Sequence, residues 1–467
     1  MKKRMLSLLM AALLLLSCAF AEEAGNTPLM PYFDCFAVPL GDNAIFEIPN
    51  EWGYQTGEDT DVPPMTSLLT DQNQMVLAMK LPADWEATDA SDALGIQSFI
   101  VEGTALMLGL TTPQSTRLQE MTINDMPAVL VEMNGQGFDI LWIGDSGDLY
   151  FFLFPNDDDA LVQQMISVAQ SLCVFHRKGE QVNPSSDFAY TADDGEVTIT
   201  DYIGTSEHVL IPDTIDGLPV TALADKAFYE KHVTTVVVPD SVTEIGDLCF
   251  SGDNYLVSLT LPDELAELSY AALESCFRLM DFDLPQGLKK ISGSALQYNY
   301  YLTHLTLPSS LTEIEQLNFI GLYGLQSLTL AEDNAAFKLD ETNGLLMTAD
   351  GTRLLHCFSD IVPAEEIILT EGLKTVDPFA FHYDYDVKRI VLPEGVETIG
   401  AMAFAMCPNL TEIVIPASVT DIGVMDGLEG RTGIISYKRN VIVTPEGCPA
   451  WNWAVETGAT VKSPEED

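Results

Sequence analysis

The chain has 467 residues, with 70 acidic against 21 basic, a net charge of −49. That balance excludes the basic footprint nucleic acid requires and disfavours docking on anionic lipid. With 47% hydrophobic and 19% charged residues the composition is globular, not disordered, and the length allows about three domains, or two if one is an elongated array.

Residues 1–21 read as a secretory signal peptide. Lys2-Lys3-Arg4 is followed by an apolar run from Met5 to Leu16 and then by small residues. The run is short for a bilayer span. Two processing sites compete. Ala19-Phe20-Ala21 fits the A-x-A pattern and would release a soluble chain from Glu22, whereas Leu15-Leu16-Ser17-Cys18 resembles a lipobox and would leave a lipid anchor on Cys18. No later segment is apolar enough for a transmembrane helix, so the expected address is secreted or cell-surface. Removing residues 1–21 leaves a charge of −52, read as a solvated, self-repelling surface.

Residues 22–175 form the first expected domain, an α+β sandwich. Extended apolar stretches lie near 33–39, 44–49, 74–81, 127–133, 138–144 and 149–154. A helix is expected near 91–108. A second, about 157–172, has Asn156 as N-cap and Asp157, Asp158 and Asp159 at the positive end of its dipole. Its buried stripe is Leu161, Met165, Val168, Ala169 and Leu172. Cys35 and Cys173 flank this domain and are its available disulfide partners. Phe46-x-Ile48-Pro49-x-x-Trp52 and the closing Gln170-Ser171-Leu172 resemble PsbP-like domains, which implies a binding or assembly module. A polar linker, 176–187, follows.

From 188 to 461 the chain repeats. Proline recurs at Pro239, Pro262, Pro285 and Pro308, and again at Pro393 and Pro416, always 23 apart. Ala331 and Thr370 hold the same register around an insertion near 332–362, giving nine coils between about 205 and 425. Before each proline runs a period of two, as in Leu256-x-x-Leu259-x-Leu261 and Leu410-x-x-Ile413-x-Ile415. This predicts a short strand that proline ends, because proline cannot donate to the ladder. A small-plus-large pair follows: Ala227-Phe228, Cys249-Phe250, Ala295-Leu296, Ala380-Phe381 and Ala403-Phe404, expected to stack as an internal spine. A 23-residue coil cannot bury its apolar face alone, but stacked coils can.

Val238-Pro239-Asp240-Ser241-Val242-Thr243-Glu244-Ile245-Gly246 and Ile415-Pro416-Ala417-Ser418-Val419-Thr420-Asp421-Ile422-Gly423 resemble the BspA-like, Treponema-type leucine-rich repeat of bacterial surface proteins. Tyr190 to Ile203 resembles its opening hairpin, Asn343 to Leu355 a hairpin insertion with Asp-Gly at the turn, and Val441 to Val461 a closing cap. Met425-Asp426-Gly427-Leu428 departs from the pattern where a small-large pair is due. The acidic tail is 462–467. The resemblance implies a leucine-rich-repeat β-solenoid, adhesion and protein binding.

No catalytic motif stands out. Gly144-Asp145-Ser146-Gly147-Asp148 invites comparison with a serine-protease nucleophile, but residues 22–175 hold no histidine, and Gly, Asp and Ser favour a turn between strands. The mature cysteines Cys249, Cys276, Cys357, Cys407 and Cys448 show no C-x-x-C spacing for zinc, and no metal or cofactor is expected. His304 with Asp281 and Asp283 forms a candidate cluster, weighed against three solvated strand-face residues. Outward strand positions run Thr235 and Val237, Ser258 and Thr260, Asp281 and Asp283, His304 and Thr306, Ser327 and Thr329, Glu366 and Ile368, Arg389 and Val391, Glu412 and Val414. Beside them lies an aromatic rim of Tyr255, Phe277, Tyr300, Tyr301, Tyr323 and Tyr385. Amphipathic rings suit protein hot spots, and open ring faces suit sugars. The expected function is a non-enzymatic exported protein whose solenoid binds an extracellular protein or glycan. The alternatives are an envelope scaffold presenting the first domain and, more remotely, a hydrolase.

Overall fold

The computed structural model describes strands and one helix within 35–174, and then residues 182–464 except 281, 359–360, 383, 425–434 and 436–439. Cys18, the signal segment, the helix expected at 91–108, Asp281, Met425 to Leu428 and the last three residues lie outside the described residues. The chain divides into two compact units between Gln181 and Val182.

In the first unit the described strands are β1 (Cys35–Pro39), β2 (Ala44–Pro49), β3 (Gly53–Thr56), β4 (Met65–Leu69), β5 (Met75–Leu81), β6 (Thr116–Ile123), β7 (Met126–Met133), β8 (Phe138–Gly144), β9 (Leu149–Pro155) and β10 (Cys173–Val174), with helix α1 at Asp159–Gln170. An antiparallel sheet of order β3-β4-β5-β9-β8-β7-β6 carries a core of Leu68, Val76, Leu130, Leu141, Tyr150, Phe152 and Phe154. Helix α1 buries Leu161, Met165, Val168 and Ala169 of the expected stripe and packs against β9 and β2, while Leu172 and the expected cap Asn156 to Asp158 lie outside the described residues. Gly144 pairs with Leu149 across β8 and β9, and Asp145 to Asp148, the rest of the Gly-Asp-Ser-Gly-Asp segment, lie outside the described residues.

The possible Cys35–Cys173 pairing meets a separation in the backbone. Cys35 pairs with Pro49 on one edge of β2, and Cys173 with Ile45 on its other edge. Two strand spacings of roughly 5 Å and four residues of about 3.3 Å each separate them. A disulfide holds its Cα atoms within about 4.4–6.8 Å.

The second unit begins inside the expected linker, since Asn183 N–H donates to Leu210 O (3.0 Å) and its Oδ1 accepts from Leu210 N–H (2.9 Å). The opening hairpin, Phe188–Asp193 with Glu196–Tyr202, lies beside Leu218–Leu223. Thereafter most coils contribute two short strands; among the described residues the coil of Phe282 and Leu284 has none at that position. One parallel ladder runs through Thr235–Val237 and Ser258–Thr260, through His304–Leu307 and Ser327–Leu330, and through Glu366–Ile368, Arg389–Val391, Glu412–Val414, Val441–Val443 and Thr460–Lys462. The second runs through Glu267–Leu268, Lys290–Ile291 and Glu313–Ile314, then Arg353–Cys357, Thr375–Val376, Thr398–Gly400 and Asp421–Val424. Partners such as Val236 and Leu259, or Ile390 and Ile413, stand 23 apart. The solenoid has about eleven turns, against nine expected, because the closing cap continues the ladder. That cap includes a helix, Pro449–Thr457, capped by the Cys448 thiol accepting from Trp451 N–H and ended by Gly458 at φ 75°.

The third side of each coil is a corner. Lys226, Leu248, Ala271, Ser294, Leu317, Phe379 and Met402 all take positive φ, between 52° and 72°. Each immediately precedes the small-large pair, and Ala272-Leu273 and Asn318-Phe319 extend the set of pairs read from the sequence. A left-handed non-glycine residue costs about 1–2 kcal/mol. Corner-to-corner bonds offset it, such as Phe228 N–H to Cys249 O (2.8 Å) and Phe250 N–H to Ala272 O (2.9 Å). Inside, the expected spine forms: Tyr202 stacks on Phe228 at 5.4 Å and Phe228 on Phe250 at 5.2 Å, and Phe381 meets Phe404 tilted at 5.4 Å. Gly246 and Gly400 sit where a Cβ would come within 2.4 Å of Asp225 N and 2.2 Å of Pro378 N, so the coils meet there backbone to backbone.

A buried polar row, also 23 apart, closes each corner: Asp253, Cys276 and Asn299, then Asp384 and Cys407. Asp253 accepts from Val233 N–H (3.0 Å) and Tyr255 N–H (3.2 Å). Cys276 and Cys407 donate their thiols to Phe250 O (3.1 Å) and Phe381 O (2.8 Å). Asn299 Nδ2 donates to Leu273 O and Leu296 O. Burial pushes both thiols up and raises the Asp253 carboxyl to about 6. The folded chain therefore holds that proton more tightly than the unfolded chain. Asp253 favours folding most below about pH 4 and progressively less as pH rises through 6. Asp253→Asn removes the titration. Its stability relative to the parent should improve by up to about 3 kcal/mol between pH 4 and pH 7, read by urea unfolding at both values. A pH-independent difference contradicts the assignment.

Candidate interaction surface

The coil spacing that stacks the spine also stacks the corner. Phe277, Tyr300 and Tyr323 occupy one position, 23 apart, and their rings lie face to face: Phe277 on Tyr300 at 4.7 Å and 3°, Tyr300 on Tyr323 at 5.5 Å and 15°. Tyr298 meets Tyr300 edge-on at 6.2 Å. One residue along runs a second row, His232, Tyr255, Arg278 and Tyr301. His232 lies 5.0 Å from the Tyr255 ring, and the Arg278 guanidinium stands 5.7 Å over it.

The predicted rim thus divides. Tyr255 is 50% exposed and Tyr385 42%. Phe277, Tyr300 and Tyr323 are half-buried. Tyr301 is a correction: it is 5% exposed and therefore buried, unlike Tyr255 at the same coil position. Both faces of Tyr300 are covered by neighbouring rings, so a sugar cannot stack there. What the file presents outward is its ring edges.

The strand face is also partly corrected. Thr235 and Ser258 are buried; the hydroxyl of Thr235 lies 2.9 Å from His208 Nδ1. Thr260, Asp283, His304, Thr306, Thr329 and Glu366 are exposed, as is Ile368 at 60%. Thr306 and Thr329 bond hydroxyl to hydroxyl at 2.9 Å. His304 stands opposite Ser327, with its Nδ1 2.7 Å from Thr303 Oγ1. Among the described residues no ion pair joins Asp283 to His304, and no three His, Cys, Asp or Glu side chains converge on a metal position. Sequence reasoning missed a charge row on this face. Arg389 bonds Glu412 at 2.7 Å on one side and Glu366 on the other, and Lys462 reaches Glu412 at 3.4 Å. Its signal was the alternation of Glu366, Arg389 and Glu412 at coil spacing. Beside it Ile368, Val391 and Val414 align as an apolar row.

Parallel 23-residue coils, an internal aromatic spine and a repeated strand–proline boundary define a leucine-rich-repeat solenoid. Residues 221–340 and 355–425 match the BspA type leucine rich repeat region in six copies. Solved structures similar to the chain include a Treponema pallidum leucine-rich-repeat protein (23% identity, 60% of this chain and 98% of that one, TM-score 0.31). A leucine-rich cell surface protein of Faecalibacterium prausnitzii is 19% identical over 62% and 96% of the two chains, TM-score 0.36. The pneumococcal vaccine antigen PcpA is 16% identical over 61% and 97%, TM-score 0.37. No curated protein matches the chain. Among the described residues no helix is long and apolar enough to cross a membrane.

Proposed function

We propose that the solenoid is the binding arm of an exported bacterial surface protein and that it holds a partner protein along the corner carrying Tyr255, Phe277, Tyr300 and Tyr323. The observation that carries this reading is the file of stacked rings. Each ring is immobilised by its neighbours, so little side-chain entropy is lost when a partner covers it. Amphipathic ring edges beside Arg278 suit a protein hot spot. Tyr300, closed on both faces by Phe277 and Tyr323, favours a protein over a glycan at the middle of the file. Export through residues 1–21, with or without a lipid on Cys18, belongs to the same reading, as does an assembly role for the first unit.

The test is a binding screen of chain 22–467 against extracellular-matrix proteins and a glycan panel, repeated with Tyr255→Ala and Tyr323→Ala. A protein ligand whose affinity falls at least about tenfold in both variants supports the reading. Thr306→Ala should leave it unchanged. Ligands found only among glycans, or protein binding indifferent to both tyrosines, sink it.

A further inference from the structure

The array forms one compact unit by its backbone contacts, but its side chains are not one core. Its buried side chains fall into two clusters. The first runs from Phe188 to Phe358, and the second from Leu345 to Ala454. They meet at the hairpin insertion, whose strands are buried on both faces: Leu346 and Leu355 belong to the first core, while Leu345, Met347, Leu354 and Cys357 belong to the second.

Both ladders stop there, whereas between Ser258–Thr260 and His304–Leu307 only one of them is interrupted. Glu313–Ile314 ends one sheet, and Phe337–Asp340 begins another. Ser327–Leu330 ends the other ladder, which resumes only with Glu366–Ile368. The bond that Leu369 makes to Val391 O, and Leu392 to Val414 O, has no counterpart from Leu330 to Ile368. Apart from the turn bond of Asn334 N–H to Ala331 O, no backbone hydrogen bond among the described residues joins the chain before 331 to the chain after 334. The junction is made by side chains instead. Asn334 Nδ2 donates to Pro308 O (2.7 Å), and the Phe319 ring meets His356 at 5.8 Å and Phe358 at 5.3 Å.

The hairpin also repeats the opening of the array. Thr191-Ala192-Asp193-Asp194-Gly195 returns as Thr348-Ala349-Asp350-Gly351. At the start, Phe188–Asp193 runs antiparallel to Glu196–Tyr202, which lies parallel to the next strand, Leu218–Leu223. In the middle, Leu345–Thr348 runs antiparallel to Arg353–Cys357, which lies parallel to Thr375–Val376. The element that begins the first stack therefore begins a second.

We infer that the array is two solenoids in series, each with its own opening hairpin and core, joined at a seam of side-chain packing near 331–344 that interrupts cooperativity. Coupling between coils travels through shared ladders and shared core, and the seam lacks the ladders. The seam also separates two surfaces: the aromatic file lies on the first solenoid, and the Ile368, Val391 and Val414 row with its flanking charges lies on the second. They form two independently presented modules. This inference stands whether or not the aromatic corner binds a protein.

Hydrogen exchange of the full chain, read by mass spectrometry, tests it. Leu305→Ala weakens the first solenoid one coil short of its end. A continuous stack spreads the damage equally in both directions, speeding exchange around 256–262 and around 364–370, each two coils away. Two solenoids give an asymmetric result: faster exchange around 256–262 and parent rates around 364–370. The mirror change, Ile390→Ala, should speed 441–443 and spare 327–330. Equal acceleration on both sides in either variant overturns the inference. If Leu305→Ala does not fold, Leu305→Val makes the same comparison with a smaller defect.

Discussion

Phe250→Ala is expected to destabilise the first solenoid by about 3–5 kcal/mol. The ring is fully buried and stacks on Phe228 at 5.2 Å, with Leu273 at the same position of the next coil. Two terms add. One is the transfer free energy of the lost ring, and the other is the hole left behind. The hole cannot close by drawing Phe228 and Leu273 together. Their spacing is fixed by corner-to-corner bonds, Phe228 N–H to Cys249 O and Phe250 N–H to Ala272 O, and by strands about 4.8 Å apart. A site held by ladders on every side relaxes less than one on a packed helix, which places the cost towards the top of the range. Urea unfolding, followed by hydrogen exchange of segment 228–273, measures it. Tyr270, 53% exposed on the same corner, is the control; Tyr270→Ala should stay within about 0.5 kcal/mol. A loss below about 1 kcal/mol for Phe250→Ala would mean that the coils slide to fill the space.

What was legible in the sequence follows from how each feature is encoded. The coils were legible because one residue type, proline, ends most of the strands for one reason, and because buried leucine, isoleucine and valine alternate with exposed residues. The spine was legible for the same reason. The corners were not, because a left-handed backbone at Leu248, Leu317 or Met402 is imposed by the coil and leaves no glycine to mark it. The polar row was missed because a carboxylate, a thiol and an amide at Asp253, Cys276 and Asn299 perform one task with three chemistries. Tyr300 and Tyr301 show the limit of a period-two argument at a corner, where neighbouring residues do not alternate across a sheet. In the first unit Gly53–Thr56, Met65–Leu69 and Thr116–Ile123 went unread because they are short or strongly polar, whereas helix α1 announced itself through Leu161, Met165 and Val168.

Arg353→Met should have an effect of similar size by a different route. Arg353 lies just beyond the seam and grips Asp377 of the next coil with two parallel bonds, Nε to Oδ1 and Nη2 to Oδ2, both 2.7 Å. The Asp377 side chain is only 6% exposed. Burial pushes its carboxyl up, and the hydrogen bonds and charge of Arg353 pull it partly back. Removing the guanidinium leaves a buried carboxylate unpaired, at a cost of about 3–5 kcal/mol near pH 7. The pH dependence identifies the cause. Without Arg353 the folded-state pKa of Asp377 moves further above its unfolded value, so the folded chain binds the proton more tightly. The variant's deficit is then smallest below about pH 4 and grows as pH rises towards neutrality. Merely losing the Arg353 side chain's packing would give a deficit that does not change with pH. Arg353→Met combined with Asp377→Leu removes both charges and should recover most of the loss, because an apolar pair of similar volume needs no desolvated ion. Urea unfolding of the three chains at pH 4, 5.5 and 7 separates the possibilities: a pH-independent deficit in Arg353→Met, or a double variant as weak as the single one, would show that the pair acts through shape alone.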